Sequence, residues 1–327
     1  MFPALSFPLL PQFFINPRYD PAYALPTAGD RALRFHSGME GYQPTPLHSL
    51  PSLQLLCHLQ RLWIKDESDR LGLPSFKILG ASWAIHRALC ERFKVPVGRE
   101  LTLNVLREKL SSVPSFVLTS ATDGNHGRAV AHAARLLGVP TRIFMPAGSS
   151  PRRVRAIESE GVTVLVGGTY DDAVAEAARA AEKGGLLIQD TAFEGYERIP
   201  AWIVEGYATL LREVDEALRV SGEKAPTHVF VQMGVGSLAE AVVRHYRAEG
   251  TETRPKIIGV EPEGAACIFE SMKKGKVVTL EGEQQSIMAG LNCGTMSFSA
   301  FPILERGIDC FVTIADERAR VSSHGTE

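Results

Sequence analysis

From residue 115 onward, short apolar runs and amphipathic stretches alternate along the chain. SFVLTSA (115–121), TRIFMP (141–146), TVLVGG (163–168), GLLIQD (185–190), THVFVQM (227–233), KIIGVEP (256–262) and DCFVTI (309–314) read as strands. Helical periodicity fills the gaps: GNHGRAVAHAARLLG ending at Gly138, PRRVRAIESEG, YDDAVAEAARAAEKGG, AWIVEGYATLLREVDEALRV, the run after Gly236, and a helix near 265–274. This β-α alternation predicts an α/β protein whose parallel sheets are covered by helices on both faces. Such sheets bind ligands at the carboxyl ends of their strands, so the loops there are the places to look for chemistry.

Before residue 115 the pattern is weaker. The opening MFPALSFPLLPQFFINPRY is apolar but broken by Pro3, Pro8 and Pro11; it lacks a basic n-region and a small-residue cleavage site, and reads as a packed or partly ordered arm, with a secretory signal as the minor alternative. LWIK predicts a strand, DESDRLGLP a polar turn, and ILGASWAIHRAL a helix with Ser75 as its N-cap. Lys77 then falls in the first turn, where the positive end of the helix dipole disfavours an ammonium and favours a neutral, nucleophilic amine. A lone lysine is ordinarily a solvated surface residue. Residues 91–114 and 275–308 give few clear elements.

Composition sets the outer limits. With 45% hydrophobic and 22% charged residues among 327, the chain has the makings of an ordinary globular core. A net charge of −2 argues against nucleic acid or an anionic membrane as partner, and no apolar run approaches a membrane span. Cys57, Cys90, Cys267, Cys293 and Cys310 show no C-x-x-C spacing and fit a reducing compartment, although Cys267 and Cys293 would be able to pair if folded together.

Three further loops carry candidate chemistry. Asp123-Gly124-Asn125-His126-Gly127 lies between a strand and a helix: its glycines permit close backbone approach, Asn125 offers an amide donor, and Asp123 offers a carboxylate or a helix cap. Asp190 ends another strand and projects toward the same sheet edge as Asp123. Gly234-Val235-Gly236-Ser237 follows a strand and opens a helix, the arrangement of a phosphate cradle. With Ala239 it also fits G-x-G-x-x-A, and Glu261 supplies the acidic residue that a dinucleotide fingerprint expects, so a nicotinamide-dependent oxidoreductase stays open on these residues. The spacing of His126 and His132 does not match one helix face, which leaves core or solvated histidines rather than a metal site.

SFKILG (75–80), TDGNHGRAVA (122–131), YDDAV (170–174), QDTAFEGYERIPAWIVEGYATL (189–210), QMGVGSLA (232–239), GVEP (259–262) and MAGLNCG (288–294) occur in that order. In these motifs the chain resembles the fold-type II (tryptophan synthase β-like) pyridoxal-phosphate enzymes, and among them the diaminopropionate ammonia-lyase family, over roughly residues 40–318. The resemblance implies two parallel-sheet, three-layer domains with the cofactor cleft between them. Residues 1–114 and 201–327 would form the larger, cofactor-binding domain and 115–200 the smaller. Lys77 would carry pyridoxal 5'-phosphate as a Schiff base, Asn125 would bond the ring's 3-oxygen, and Gly234, Val235, Gly236 and Ser237 would hold the phosphate. Asp123 and Asp190 would be the catalytic carboxylates, with Asp123 serving D-substrate and Lys77 L-substrate. The implied reaction is β-elimination of 2,3-diaminopropionate to pyruvate and ammonia. A serine or threonine dehydratase-like activity and a catalytically impaired relative are the alternatives. A small amino-acid substrate, a homodimer and a cytoplasmic location are the partner and place expected. Sibling enzymes carry Ser or Thr where Asp123 stands. The family also continues past ADERAR (315–320) with a Ser-Gly segment near the pyridine nitrogen, so the 327-residue chain is expected to hold cofactor weakly and to leave part of a sheet uncovered.

Overall fold

The computed structural model describes residues 11–97, 103–113 and 115–324. They fall into two compact units. One takes the chain up to Thr27, Thr191–Glu197, and everything from Ala225 on; the other takes Ala28–Asp190 and Arg198–Lys224.

The first unit is built on β1 (Gln12–Ile15), β8 (His228–Gln232), β9 (Lys256–Pro262) and β10 (Cys310–Ile314), in the order β1-β10-β9-β8. The last three pair in parallel, and β1 joins β10 antiparallel, with Gln12 opposite Thr313 and Ile15 opposite Cys310. The helices of this unit are α9 (Ser237–Tyr246), α10 (Cys267–Lys274), α11 (Phe301–Gly307) and α12 (Asp316–His324). The sequence pattern contained no sign of β1, because its pairing partner lies some 300 residues away, and α11 has only seven residues to show a period. Phe13 and Ile15 on β1 and Phe230 on β8 are exposed. Of the opening arm, residues 1–10 lie outside the described residues.

The second unit holds a four-stranded parallel sheet of β4 (Leu118–Ala121), β5 (Thr141–Met145), β6 (Thr163–Val166) and β7 (Leu186–Leu187), plus an antiparallel pair, β2 (Leu47–Ser49) with β3 (Trp63–Lys65). Its helices are α1 (Arg31–Ser37), α2 (Pro51–Leu56), α3 (Lys77–Arg92), α4 (Leu103–Ser111), α5 (Asn125–Leu137), α6 (Pro151–Glu158), α7 (Tyr170–Glu182) and α8 (Arg198–Val220). The sheet order is β6-β5-β4-β7. The chain steps outward from β4 to β5 to β6 and then returns to the other side of β4, so the strand order reverses at β4. A reversal of this kind opens a crevice beyond the carboxyl ends of the two strands that flank it. The loops after β4 and β7 carry Asp123 and Asp190.

Helix α3 is buried nearly all round, from Ile78 through Cys90. It crosses α8 where each helix has a glycine. A Cβ on Gly80 would sit 2.6 Å from Tyr207 Cε1, and one on Gly206 would sit 2.5 Å from the Leu79 carbonyl oxygen. The second clash is against backbone, so a side chain there would force the helices apart. Gly206→Ala is expected to destabilise the fold by about 1–3 kcal/mol, the usual cost of overpacking a filled interior. A urea-unfolding midpoint equal to wild type would show that the crossing can widen at no cost.

The polar turn before α3 proved to be partly interior. Arg70 is fully buried. Its guanidinium grips Glu213 through both terminal nitrogens, at 2.6 and 2.7 Å, and Glu67 through Nε and Nη2, at 2.9 and 2.6 Å. Lys65 reaches the same Glu213 at 2.7 Å. The glutamate that neutralises this cluster stands on α8, 143 residues from Arg70, so the turn reads as solvated until the fold supplies the partner.

Candidate active site

In the second unit the first residue of α3 is Lys77. Phe76 occupies the N-cap position, and the Ser75 hydroxyl accepts a hydrogen bond from the Lys77 N–H at 3.3 Å. The side chain is mostly covered, at 22% exposure, with Phe76 beside it and Tyr207 edge-on to Phe76 at 5.0 Å. Its Nζ donates to Asp190 Oδ2 at 2.6 Å. The two residues predicted separately from sequence are therefore brought into direct contact.

Asp190 is buried. Burial by itself raises a carboxyl pKa, but here His126 and the Lys77 ammonium more than offset it, and the Asp190 carboxyl is held well below the ordinary carboxylate range. Asp190 is thus an anion held in the interior with the Lys77 ammonium on it.

Asp123 follows β4. The Thr122 hydroxyl, not the Asp123 carboxylate, caps the start of α5, accepting from the Gly124 and Gly127 N–H groups at 3.0 and 3.1 Å. This removes the helix-cap reading of Asp123. A Cβ on Gly127 would fall 2.1 Å from the Thr122 methyl group and 3.0 Å from Ile143, so only glycine lets the helix seat on the strand ends. Asp123 is left half exposed, at 49%, with Arg153 Nη1 3.8 Å from its Oδ2 and donating to its carbonyl at 3.2 Å. Crowding by the surrounding protein pushes its carboxyl upward, opposed by Arg153 and Lys77. One carboxylate is buried and locked as an anion, while its neighbour is open and easier to protonate. Asn125, the first residue of α5, is exposed.

In the first unit β8 runs into Gly234-Val235-Gly236, and α9 begins at Ser237. Gly236 has φ +98°, in the left-handed region, and a Cβ there would press on Ala300, Ile268 and Leu304 at 3.2 Å. A Cβ on Gly234 would come 3.1 Å from Cys293 Sγ and 3.5 Å from the Gly290 carbonyl, which makes the MAGLNCG stretch the wall behind the loop. The Ser297 N–H pins the Val235 carbonyl at 2.8 Å. Backbone N–H groups in the first turn of a helix have no partner within the helix, and they and the dipole favour an anion. A loop of bare backbone ahead of a ten-residue helix fits a phosphate group.

Glu261 settles the rival use of this loop. It is fully buried, and its two carboxylate oxygens accept the Ile268 and Phe269 N–H groups at 2.9 and 2.6 Å, in the first turn of α10. Burial pushes its carboxyl up to about 8 against those donors. The acidic residue of a dinucleotide fingerprint is thus occupied inside the protein. None of the five cysteines is in a disulfide, Cys267 and Cys293 included. His132 sits against Glu160 at 3.0 Å. His126 is buried against Asp190, a placement that its helical spacing gave no reason to expect.

In the second unit an amine on a buried carboxylate, with a second carboxylate on the neighbouring strand end, fits an aldehyde cofactor; the glycine loop of the first unit, taken by itself, fits a phosphate. The chain belongs to the pyridoxal-phosphate-dependent enzymes, whose family profile it matches over residues 39–322. It is 40% identical over 296 residues to the diaminopropionate ammonia-lyase of Salmonella typhimurium, covering 88% of this chain and 72% of that protein. To the Escherichia coli diaminopropionate ammonia-lyase it is 39% identical over 308 residues, covering 94% and 76%. The solved structure of the E. coli enzyme in complex with an aminoacrylate-PLP azomethine reaction intermediate superposes with a TM-score of 0.83 at 37% identity, covering 96% of this chain and 78% of that one.

Proposed function

We propose that this protein is a pyridoxal-phosphate-dependent ammonia-lyase that eliminates ammonia from 2,3-diaminopropionate. The overall change takes up one water and releases pyruvate and two molecules of ammonia. The observation that carries the reading is the Lys77–Asp190 contact at 2.6 Å, with Asp123 on the neighbouring strand end where related dehydratases place a hydroxyl residue. Similarity to diaminopropionate ammonia-lyases over most of the chain supports it.

When bound, the pyridoxal ring withdraws electrons from the substrate's α carbon. The protein's part is to supply an amine, acids and an anion cradle. Lys77 would hold the cofactor's aldehyde carbon and, as a free amine, would take the α proton of the L-isomer. Asp123 would take that of the D-isomer. Asn125 would donate to the ring's 3-oxygen, and Gly234, Val235, Gly236 and Ser237 would hold the phosphate. The departing nitrogen must leave protonated, and a carboxylate beside it keeps it so. A leaving hydroxyl gains less from that charge, which is the physical reason for acids at Asp123 and Asp190 in an enzyme for a diamine.

The same reading takes the enzyme as a homodimer in the cytoplasm; five cysteines outside any disulfide suit a reducing compartment. Among the described residues no helix is long and apolar enough to cross a membrane. It takes residues 115–200 as the smaller domain and 1–114 with 201–327 as the cofactor-binding one. The parallel sheet β6-β5-β4-β7, confined to that middle stretch, supports a domain there, while residues 28–114 and α8 pack with it in one compact unit. The deciding experiment is a pyruvate-release assay with D- and L-diaminopropionate beside D- and L-serine and L-threonine. Preference for the diamine by tenfold or more, at roughly 1.4 kcal/mol per decade, is the expected result. Preference for serine or threonine would make the protein a dehydratase.

A further inference from the structure

We infer that His126 is a positioning residue of this site: it backs the Asp190 carboxylate and becomes its counter-cation whenever Lys77 is uncharged. The inference rests on Lys77 and Asp190 being site residues, as proposed above.

The geometry fixes which edge of the imidazole does this. His126 is the second residue of α5 and is buried, with 4% of its side chain exposed. Its Nε2 lies 3.0 Å from the Ile188 carbonyl oxygen. A carbonyl only accepts, so Nε2 must carry a hydrogen. Nδ1 is then the variable nitrogen. It makes no hydrogen bond within the described structure, and it faces Asp190 Oδ2 at 3.7 Å. The same oxygen receives Lys77 Nζ at 2.6 Å. One carboxylate oxygen therefore stands between a lysine and a histidine whose facing nitrogen is able to hold a proton or a lone pair.

Charge decides between the two. With an ammonium on Lys77, Asp190 is already compensated, and a second cation would be repelled. With Lys77 uncharged, a buried carboxylate would be left without that cation, which is strongly unfavourable. A proton on Nδ1 removes that cost. The groups around the ring act accordingly. Burial lowers the imidazole pKa most, and Lys77 from α3 lowers it too, while Asp190, the Ile188 carbonyl and Asp123 from the neighbouring loop raise it. Tyr207 on α8 feels the charges of Lys77 and Asp190, but burial pushes its phenol up to about 12, so it stays neutral and does not compete for the role. Lysine must change charge during any reaction in which it lets go of a cofactor and accepts a proton. His126 lets Asp190 remain an anion through that change.

A purely structural histidine would only fill space and bond Ile188. Two substitutions in the holoenzyme separate these roles. The amide of His126→Asn reaches the place of Nδ1 and points a donor at Asp190. That of His126→Gln reaches the place of Nε2, keeps Ile188 bonded and leaves nothing toward Asp190. Asn is expected to retain kcat within about tenfold of wild type, and Gln to lose a further tenfold or more in kcat with KM little changed. Rescue by Gln and not by Asn would overturn the inference. The second readout needs no change at His126. The ring nitrogens are titrated by 15N NMR in the cofactor-free wild-type protein, where Lys77 is a free ammonium, and in cofactor-free Lys77→Met, which keeps the length of the side chain and removes its charge. Loss of the Lys77 cation is expected to raise the His126 midpoint by about one pH unit or more, through the Nδ1 resonance with Nε2 protonated throughout. An unchanged midpoint, or a proton that leaves from Nε2, overturns it. Borohydride-stable attachment of cofactor to Lys77 is read separately, so a failure of the site assignment is not confused with a failure of this one.

Discussion

Lys77→Ala is expected to abolish pyruvate release from both isomers of diaminopropionate, together with the visible band of the lysine-bound cofactor and its attachment after borohydride reduction. The side chain is in direct contact with Asp190, and it projects from the first turn of a buried helix held by the Gly80–Gly206 crossing. Lys65 cannot stand in, because Glu213 and the Thr45 carbonyl hold it at 2.7 and 2.6 Å. The fold should survive, since alanine suits a helix and this lysine is partly exposed. The checks are a steady-state assay and a cofactor spectrum on a variant shown to be folded by circular dichroism. Turnover near the wild-type rate would remove Lys77 from the mechanism.

Asp123→Asn is expected to cost about a hundredfold or more in kcat/KM toward D-diaminopropionate, the range for losing an acid–base group. The loss toward the L-isomer should be smaller. The substitution keeps the size of the side chain and removes the charge that faces Arg153 at 3.8 Å. Because Thr122 caps α5, the helix start has no need of the Asp123 carboxylate, and a folding defect is not expected. Parallel assays on the two enantiomers give the test. Equal, modest losses on both would make Asp123 a surface partner of Arg153 and nothing more.

How far the sequence reached can be seen residue by residue. The parallel core was legible because short apolar runs alternate with helical stretches: every residue of β4 is buried, the polar Thr119 and Ser120 included, as a strand covered on both faces requires. Asp123, Asp190 and the glycine loop were legible because strand ends announce themselves where an apolar run stops at a polar or glycine residue. What escaped was anything decided by a partner far along the chain. Arg70 looked like a turn residue until Glu213 was in place. His126 looked like a core histidine, and it is one, but only the fold sets its Nδ1 on Asp190, 64 positions away. Thr122 was passed over for the more conspicuous Asp123, although a hydroxyl five residues ahead of Gly127 was the available sign of the cap.

The pairing of β1 with β10 has a consequence for how the protein is made. Residues 12–15 leave the ribosome early, but the strand they pair with is residues 310–314. At about 5–20 residues per second, β1 waits roughly 15 to 60 s for its neighbour. During that time Phe13 and Ile15 and a full edge of backbone have no sheet to join. The body of the second unit, Ala28–Asp190, is synthesised meanwhile, and its sheet is complete by residue 187. Vectorial synthesis thus favours the Lys77-bearing unit folding before the phosphate-loop unit, whose sheet gains β1 only once β10 has been made.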